Sequence, residues 1–507
     1  MTIALVQRRL KLMNTFMREL KEATNVAFTT NSALAYKSTL SAVYDLFAFG
    51  GAYRQKSDED CCILFQKAYE EHKDFALKCL FYLRDIRGGQ GERRFFRVCF
   101  NWLAKNDTRV AANLLPQASE YCRWDDVIYS TIDSPLKERA FQICRDQLRL
   151  DDSCKGAVSL CAKWMPSINA SSEQTKALAN ELRRYMKLTQ KEYRQLLSRL
   201  RKKINVLERL MSAGKWDKID FSKIPSKAGL KYRNAFARRD MIKEKYKNFV
   251  KDNSKTVNAD ALYPYDIVRS ALNYRGDEVD RAAINKYWQN QKDYLEGKPC
   301  KMICVCDTSG SMWGTPMNVA IGLSLYCAER IGGPFKNHYI SFASRPQLIE
   351  TVGEDFVEKV LRIYNTNLCD NTNLEATFRL LKETCLRANP EDRPETVVVI
   401  SDMQIDSMTG TSLWRNGGGK QWTMDTAEAE MDIIMKDWVA SGLEPVNLVY
   451  WNVNAQNPTI LQKPNSRVSF VSGCSPTLFK QIMTGKQGVE LMLEALLDDR
   501  YAPITAA

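Results

Sequence analysis

Five residues of this chain carry side-chain oxygens in a pattern that suits a hard divalent cation. Asp307, Ser309 and Ser311 fall in the pentapeptide Asp307-Thr308-Ser309-Gly310-Ser311. Thr372 falls in Asp370-Asn371-Thr372-Asn373, and Asp402 follows the apolar run Val397–Ser401. Hydroxyl and carboxylate oxygens of this kind fit six-coordinate Mg²⁺, with Mn²⁺ as the alternative, and water completes the shell. Gly310 and Gly314 let the first loop fold tightly. Two carboxylates offset the cation only in part, which leaves room for a carboxylate from a protein partner. No general base stands beside them and no second carboxylate cluster offers another metal position. A metal-dependent nuclease therefore ranks last, with Asp406 as its one extra acid, and the chain is read as a non-enzyme without catalytic residues.

Such residues need strand ends and helix starts to hold them. From Met302 onward apolar runs and helical periodicity alternate. Strands are expected at Met302–Cys306, His338–Phe342, Gln347–Glu350, Thr396–Ser401, Val446–Trp451 and Val468–Val471. Helices are expected at Met317–Ile331, Phe356–Ile363, Leu374–Leu386 and Thr426–Ala440. That alternation predicts a parallel, doubly wound α/β sheet, with its site beyond the carboxyl ends of the strands. Asp307 and Asp402 both fall there. The Gly297-Lys298-Pro299 stretch sets the boundary between residues 1–297 and 298–507.

The first part reads as all-α, with helices expected at Asp60–Phe81, Arg94–Ala104, Asp107–Leu115, Trp124–Thr131, Pro135–Arg149 and Ala157–Trp164. Its clearest amphipathic segment is Thr189–Met211, with Leu196, Leu197, Leu200, Ile204 and Leu207 in the apolar stripe. Within Tyr82–Arg94, the turn Gly88-Gly89-Gln90-Gly91 is flanked by Arg84, Arg87, Arg93 and Arg94. Those arginines suggest a phosphate cradle, and a tight turn between helices is the equal alternative. Asp125-Asp126 after Trp124 reads as the acidic first turn of a helix.

Charge separates the two parts further. The chain of 507 residues has a formal net charge of +13. Between Glu181 and Val250 stand 21 Lys and Arg against 7 Asp and Glu, so that segment holds the whole excess. A concentrated excess points to a polyanion. The candidate contacts are Arg194, Arg201, Lys202, Lys203, Lys231, Arg233, Arg238, Arg239, Lys243, Lys245 and Lys247. Tyr232, Phe236 and Tyr246 are interleaved with them, and rings so placed would stack on single-stranded bases. The fifteen cysteines include no CxxC pair, and only two histidines are present. These features favour reduced thiols over disulfides or zinc, and a cytoplasmic protein without a membrane span or secretory leader.

The set Asp307-Thr308-Ser309-Gly310-Ser311, Thr372 and Asp402 resembles the metal-ion-dependent adhesion site of the von Willebrand factor A fold, over about residues 299–505. The resemblance implies direct metal ligation by Ser309, Ser311 and Thr372, with Asp307 and Asp402 acting through water. Asn371 stands where the family has glycine, and Ser401-Asp402-Met403 replaces its usual Thr-Asp-Gly. A helical half before such a domain resembles the Ro autoantigen (TROVE) architecture, and more closely an uncharacterised Ro-like family of viruses, plants and protists. The matching pieces are Leu83–Arg94, Arg123–Asp126, Ala162–Pro166, Tyr193–Arg201 and Ile224–Lys227. This resemblance implies a ring or solenoid of HEAT-like helical repeats, closed by the A domain. It also implies a ribonucleoprotein that binds structured or misfolded noncoding RNA with single-stranded ends.

Overall fold

The computed structural model describes residues 15–204, 206–342, 345–366, 373–406 and 429–507. The chain divides into two compact units. The first comprises Met1–Tyr82, Leu262–Arg275 and Gln291–Ala502, and the second comprises Leu83–Ala261, Gly276–Asn290 and Pro503–Ala507. These units are drawn differently from the linear boundary near Gly297, because Met1–Tyr82 and Leu262–Arg275 fold with the α/β sequence.

In the first unit, helix Thr15–Thr24 is followed by a hairpin, β1 (Val26–Phe28) against β2 (Leu34–Tyr36). The sheet of this unit contains β3 (Met302–Asp307), β4 (His338–Phe342), β5 (Leu348–Glu350), β6 (Thr396–Ser401), β7 (Asn447–Asn452) and β8 (Val468–Ser472). Their spatial order is β5-β4-β3-β6-β7-β8. All pairs are parallel except β4 with β5, so the sheet is mixed, with one antiparallel edge. Every residue of β3 and β6 is buried, as expected of central strands covered on both faces. Helix Thr315–Arg330 buries most of its length against this sheet. Gly322 lets it approach helix Pro264–Leu272, since a Cβ there would lie 3.0 Å from the Pro264 backbone and side chain. The expected strands and helices of residues 302–471 are present within a few residues, except that 426–428 lie outside the described residues.

The N-terminal segment joins the same unit through hydrogen bonds. Tyr36 and Ile460 exchange backbone N–H···O bonds of 2.8 Å. The Tyr36 hydroxyl donates to Asp432 at 2.7 Å. Helix Ala42–Phe49 lies on β8: the Phe470 amide donates to the Tyr44 hydroxyl, and Ser472 Oγ donates to the Phe47 carbonyl, each at 2.9 Å. Gly51 completes this seam, because its amide donates to Ser472 Oγ at 2.9 Å.

The second unit is helical. Its longer helices are Arg93–Asn106, Lys137–Ser153, Glu173–Tyr185, Gln190–Lys203, Ser226–Arg238, Asp240–Lys251 and Glu278–Gln289. The single helix expected over Thr189–Met211 is two, Gln190–Lys203 and Leu207–Ser212, because Val206 takes an extended ψ of 128°. Thr189 and Glu192 cap the first reciprocally, which fixes its start. The segment expected over Ala157–Trp164 is helical only at Cys161–Trp164.

A Cβ at Gly51 would sit 2.6 Å from the Ser472 carbonyl oxygen, a backbone atom that cannot swing away. Gly51→Ala is expected to cost about 1–3 kcal/mol through overpacking. Calorimetry of the full chain should show a transition moved to lower temperature, and an unmoved transition would show that the seam tolerates a methyl group.

Candidate functional site

The parallel register of β3 and β6 pairs Cys306 with Ile400, so Asp307 comes beside Ser401 at the carboxyl ends of the two central strands. Asp307 and Asp402 are both without solvent exposure, and Ser309 is 3% exposed. Ser401 Oγ donates to Asp307 Oδ2 at 2.5 Å, and the Ser309 amide donates to Asp307 Oδ1 at 2.9 Å. The Ser309 and Ser311 hydroxyl oxygens stand 3.2 Å apart. Gly314, at φ +90°, ends this loop and starts helix Thr315–Arg330.

Burial raises the Asp307 pKa, against the hydrogen bonds from Ser401 and Ser309. Burial, reinforced by the Asp307 charge, pushes Asp402 up to about 7, although a hydrogen bond from the Gln404 amide pulls the other way. Asp402 Oδ1 accepts from the Gln404 amide at 3.1 Å, whereas its buried Oδ2 has no hydrogen-bond partner among the described residues. Two buried acids, one with an orphaned oxygen, beside two hydroxyls, form an oxygen-lined site with no positive partner among the described residues. That donor set fits a hard divalent cation. Thr372 lies outside the described residues, as do Asp370 and Asn371. The next residue, Asn373, caps helix Leu374–Arg387 by accepting from the Ala376 amide at 2.7 Å.

The hairpin contributes a support that no local pattern could reveal. Thr29 Oγ1 donates to the Ile405 carbonyl at 2.7 Å, and the Thr30 amide donates to Gln404 Oε1 at 2.8 Å. Asn31 Nδ2 donates at 2.8 Å to both the Gln404 carbonyl and Asp406 Oδ1. Residues 29–31 therefore hold the loop that leaves Asp402. Asp406, the extra acid of the sequence, is engaged by this tip, and its charge still reaches Asp307.

The basic residues sort into two groups. Arg84 is 3% exposed and gives two donors to Asp126, so it is structural. Arg201 donates to the Ala162 and Met165 carbonyls and to Ser167 Oγ, at 2.9 to 3.0 Å. Lys203 caps helix Lys137–Ser153 through the Asp151, Asp152 and Cys154 carbonyls. Arg233 is buried against Asp280 at 2.7 Å. Lys245 is exposed but tied to the Asp217 and Ile219 carbonyls, both at 2.9 Å. These five cations are engaged within the fold, and of them only Arg84 and Arg233 are buried away from the surface. Arg87 is exposed and meets Glu120 at 3.5 Å. Arg194, Lys202, Lys231, Arg238, Arg239 and Lys243 are exposed, Lys247 and Arg94 are half-buried, and Arg93 is exposed. Of these, Lys231 lies over Tyr232 and Arg239 over Trp216.

Two of the three interleaved aromatics are also corrected, while Tyr232 is half-buried. Phe236 and Tyr246 are buried in a cluster with Trp216, Phe221 and Phe249, with ring centroids 4.9 to 6.4 Å apart. They form a core rather than a stacking platform. The glycine turn is likewise a turn between helices: the Gly89 and Gly91 amides both donate to the Asp85 carbonyl, at 3.1 and 3.2 Å. Those amides are spent on the turn. Among the described residues no cysteine is in a disulfide, no group of three or more His, Cys, Asp and Glu is placed to hold a metal, and no helix is long and apolar enough to cross a membrane.

Residues 29–126 and 139–312 match a family model described as a domain of unknown function, DUF2828. The chain belongs to the DUF2828 family. Residues 301–500, which span the six-stranded sheet, match a second model described in the same way, DUF7788. This DUF2828 chain is similar to the uncharacterised protein L728 of Acanthamoeba polyphaga mimivirus. The two are 28% identical over 506 residues, covering 91% of this chain and 85% of the viral protein. Among solved structures, the Ro (RSR) protein of Deinococcus radiodurans aligns with a TM-score of 0.42 and 12% identity, covering 92% of this chain and 100% of that one.

Thr29 is 4% exposed, and its hydroxyl both donates to Ile405 and accepts from the Ala33 amide at 3.0 Å. Thr29→Val keeps the shape and leaves the Ile405 carbonyl and the Ala33 amide unpaired. A loss of about 1–3 kcal/mol per orphaned group is expected, read as a lower unfolding midpoint. Wild-type stability in this variant would mean that the hairpin does not brace the Asp402 loop.

Proposed function

We propose that this chain is an RNA-binding protein of Ro type whose α/β unit carries a divalent-cation site. The observation that supports RNA binding is the basic excess between Glu181 and Val250, which remains in part at the surface. Arg194, Lys202, Arg238 and Lys243 are exposed, and none of them forms an ion pair among the described residues. Exposed cations that neutralise phosphates displace the counterions condensed on the nucleic acid, so affinity falls with salt. Phe236 and Tyr246 are core residues, so the contact is mainly electrostatic, and structured noncoding RNA with single-stranded ends remains the proposed partner.

Replacing Arg194, Lys202, Arg238 and Lys243 together by Glu should weaken binding of a labelled single-stranded RNA. It should also flatten the plot of log affinity against log salt by about 0.7 for each phosphate that is no longer neutralised. An unchanged affinity and slope, measured by anisotropy between low and moderate salt, would remove this surface from the reading. Arg201→Gln is the contrasting variant: it should lower stability and leave the salt slope unchanged.

The cation reading is supported by the unpartnered Asp402 Oδ2 beside the Ser309 and Ser311 hydroxyls. Ser309, Ser311 and, by the resemblance, Thr372 would hold the ion, with Asp307 and Asp402 acting through water. Mg²⁺ or Mn²⁺ would supply positive charge that these acids lack and an open position for an anionic ligand. No catalytic step is assigned here. A second reading is a metal-dependent adaptor that captures a partner's carboxylate. Trp313 favours it, because this side chain is 60% exposed two residues after Ser311.

Ser311 is itself exposed, so Ser311→Ala should leave stability unchanged. Mn²⁺ titrated into the full chain and followed by electron paramagnetic resonance should bind at least ten-fold more weakly to the variant. Equal affinities would sink the cation site, and partner capture that survives both this variant and EDTA would sink the adaptor reading.

A further inference from the structure

The three motifs Leu83–Arg94, Arg123–Asp126 and Ala162–Pro166 are separate in sequence, and the helical unit brings them together. We infer that Arg93, Arg97 and Arg123 form a binding site for a phosphate group. The inference extends the RNA-binding reading, and it uses none of the residues on which that reading rests.

The network is built around two acids. Asp126 has no solvent exposure and is held by Arg84 at 2.6 Å and by Arg97 Nε at 2.5 Å. Asp125 Oδ2 is shared: Arg97 Nη2 reaches it at 2.9 Å, and Arg123 Nη2 also donates to it. Arg123 Nε donates to the other oxygen of Asp125 at 2.9 Å. Two aromatic rings fix the guanidinium planes. Arg97 lies 4.5 Å from the Tyr129 centroid, and Arg123 lies 3.9 Å from that of Trp164. Lys163 adds its ammonium 5.4 Å from the same Trp164 ring.

Stability of the fold accounts for Arg84, Arg97 and Arg123, but not for Arg93. Arg93 is exposed and has neither a hydrogen bond nor an ion pair among the described residues. It stands one helical turn before Arg97, on the same face of helix Arg93–Asn106. Partial desolvation and the neighbouring charges of Arg123 and Arg97 depress its pKa, against the opposing pull of Asp126 and Asp125. Arg97 and Arg123 each spend only Nε and Nη2 on the acids, which leaves Nη1 of both without an acceptor among the described residues. One whole guanidinium and two spare donors therefore face a shortage of negative charge. Guanidinium donors match phosphate oxygens in geometry and charge, often two bonds at a time.

Arg93→Gln tests the assignment because it breaks no contact in the fold. Inorganic phosphate, compared with chloride at equal ionic strength, should raise the melting temperature of the full wild-type chain. Arg93→Gln should fold with a melting temperature no lower than wild type, bind phosphate at least ten-fold more weakly, and lose the shift. Arg93→Lys should recover part of it. No phosphate-specific shift in wild type, or the same shift in Arg93→Gln, would overturn the site. A 5′-phosphorylated and a 5′-hydroxyl RNA oligomer then separate the sources. Affinity lost by Arg93→Gln only with the former supports a terminal phosphate, and equal loss with both supports the chain phosphodiester. A protein that keeps its phosphate shift but binds no RNA would sustain this site and defeat the RNA reading. One that binds RNA through the four surface cations without an Arg93-dependent shift would do the reverse.

Discussion

The hydrogen bond from Ser401 to Asp307 joins the two central strands of the sheet at the point where the chain can least easily bear charge. Asp307 and Asp402 are both fully buried, and the Asp307 charge raises the cost of ionising Asp402. Removing an isolated carboxylate from water is expensive, and a pair is more so. The parallel register makes the arrangement unavoidable, because strands that pair Cys306 with Ile400 must end side by side. Much of the first unit serves this constraint. Ser309 and Ser401 turn donors toward Asp307, Gly314 lets the loop turn into its helix, and the hairpin tip braces the exit from Asp402. A divalent cation is proposed there because the acids otherwise have too few positive partners.

The sheet was legible because its signals are local. An apolar run such as Val397–Ser401 can only be a buried strand between helices, and ligand-type residues just past two such runs must meet at one edge. The hairpin was not legible. Its strands are three residues long, and the bonds that hold it reach across some 375 positions to Gln404, Ile405 and Asp406. Tyr36 and Ile460 are similarly distant. Nothing in Val26–Tyr36 announces which strand or loop will receive it, so the segment reads as part of the helical half.

The basic segment shows a different limit. Counting charge located a polyanion-facing region, but counting could not tell which cations the fold itself consumes. Arg201, Lys203 and Lys245 are long donors that end on backbone carbonyls, and such carbonyls at helix ends and turns carry no signature in sequence. Arg233 goes to a buried acid 47 residues on. Aromatic residues between the cations were ambiguous for the same reason. Tyr246 has the spacing of a stacking ring and also that of a core ring, and Phe221 and Phe236 packed against it decide the matter. The arginine network was partly visible as separate motifs, but their meeting around Asp125 and Asp126 was not.

The first unit is assembled from three stretches of chain, with most of the second unit spliced between them. A growing polypeptide leaves the ribosome from its amino end, so β2 is made long before Ile460, and Tyr44 long before Phe470. The N-terminal hairpin and helix Ala42–Phe49 must therefore wait, with Tyr44 and Phe47 lacking the strand that covers them, until more than four hundred further residues have been translated. Helical residues from Leu83 to Ala261 have no such wait for their own neighbours. Birth order thus favours a helical unit formed first and a sheet unit closed last, and the exposed N-terminal apolar surface in the interval is a natural target for chaperones.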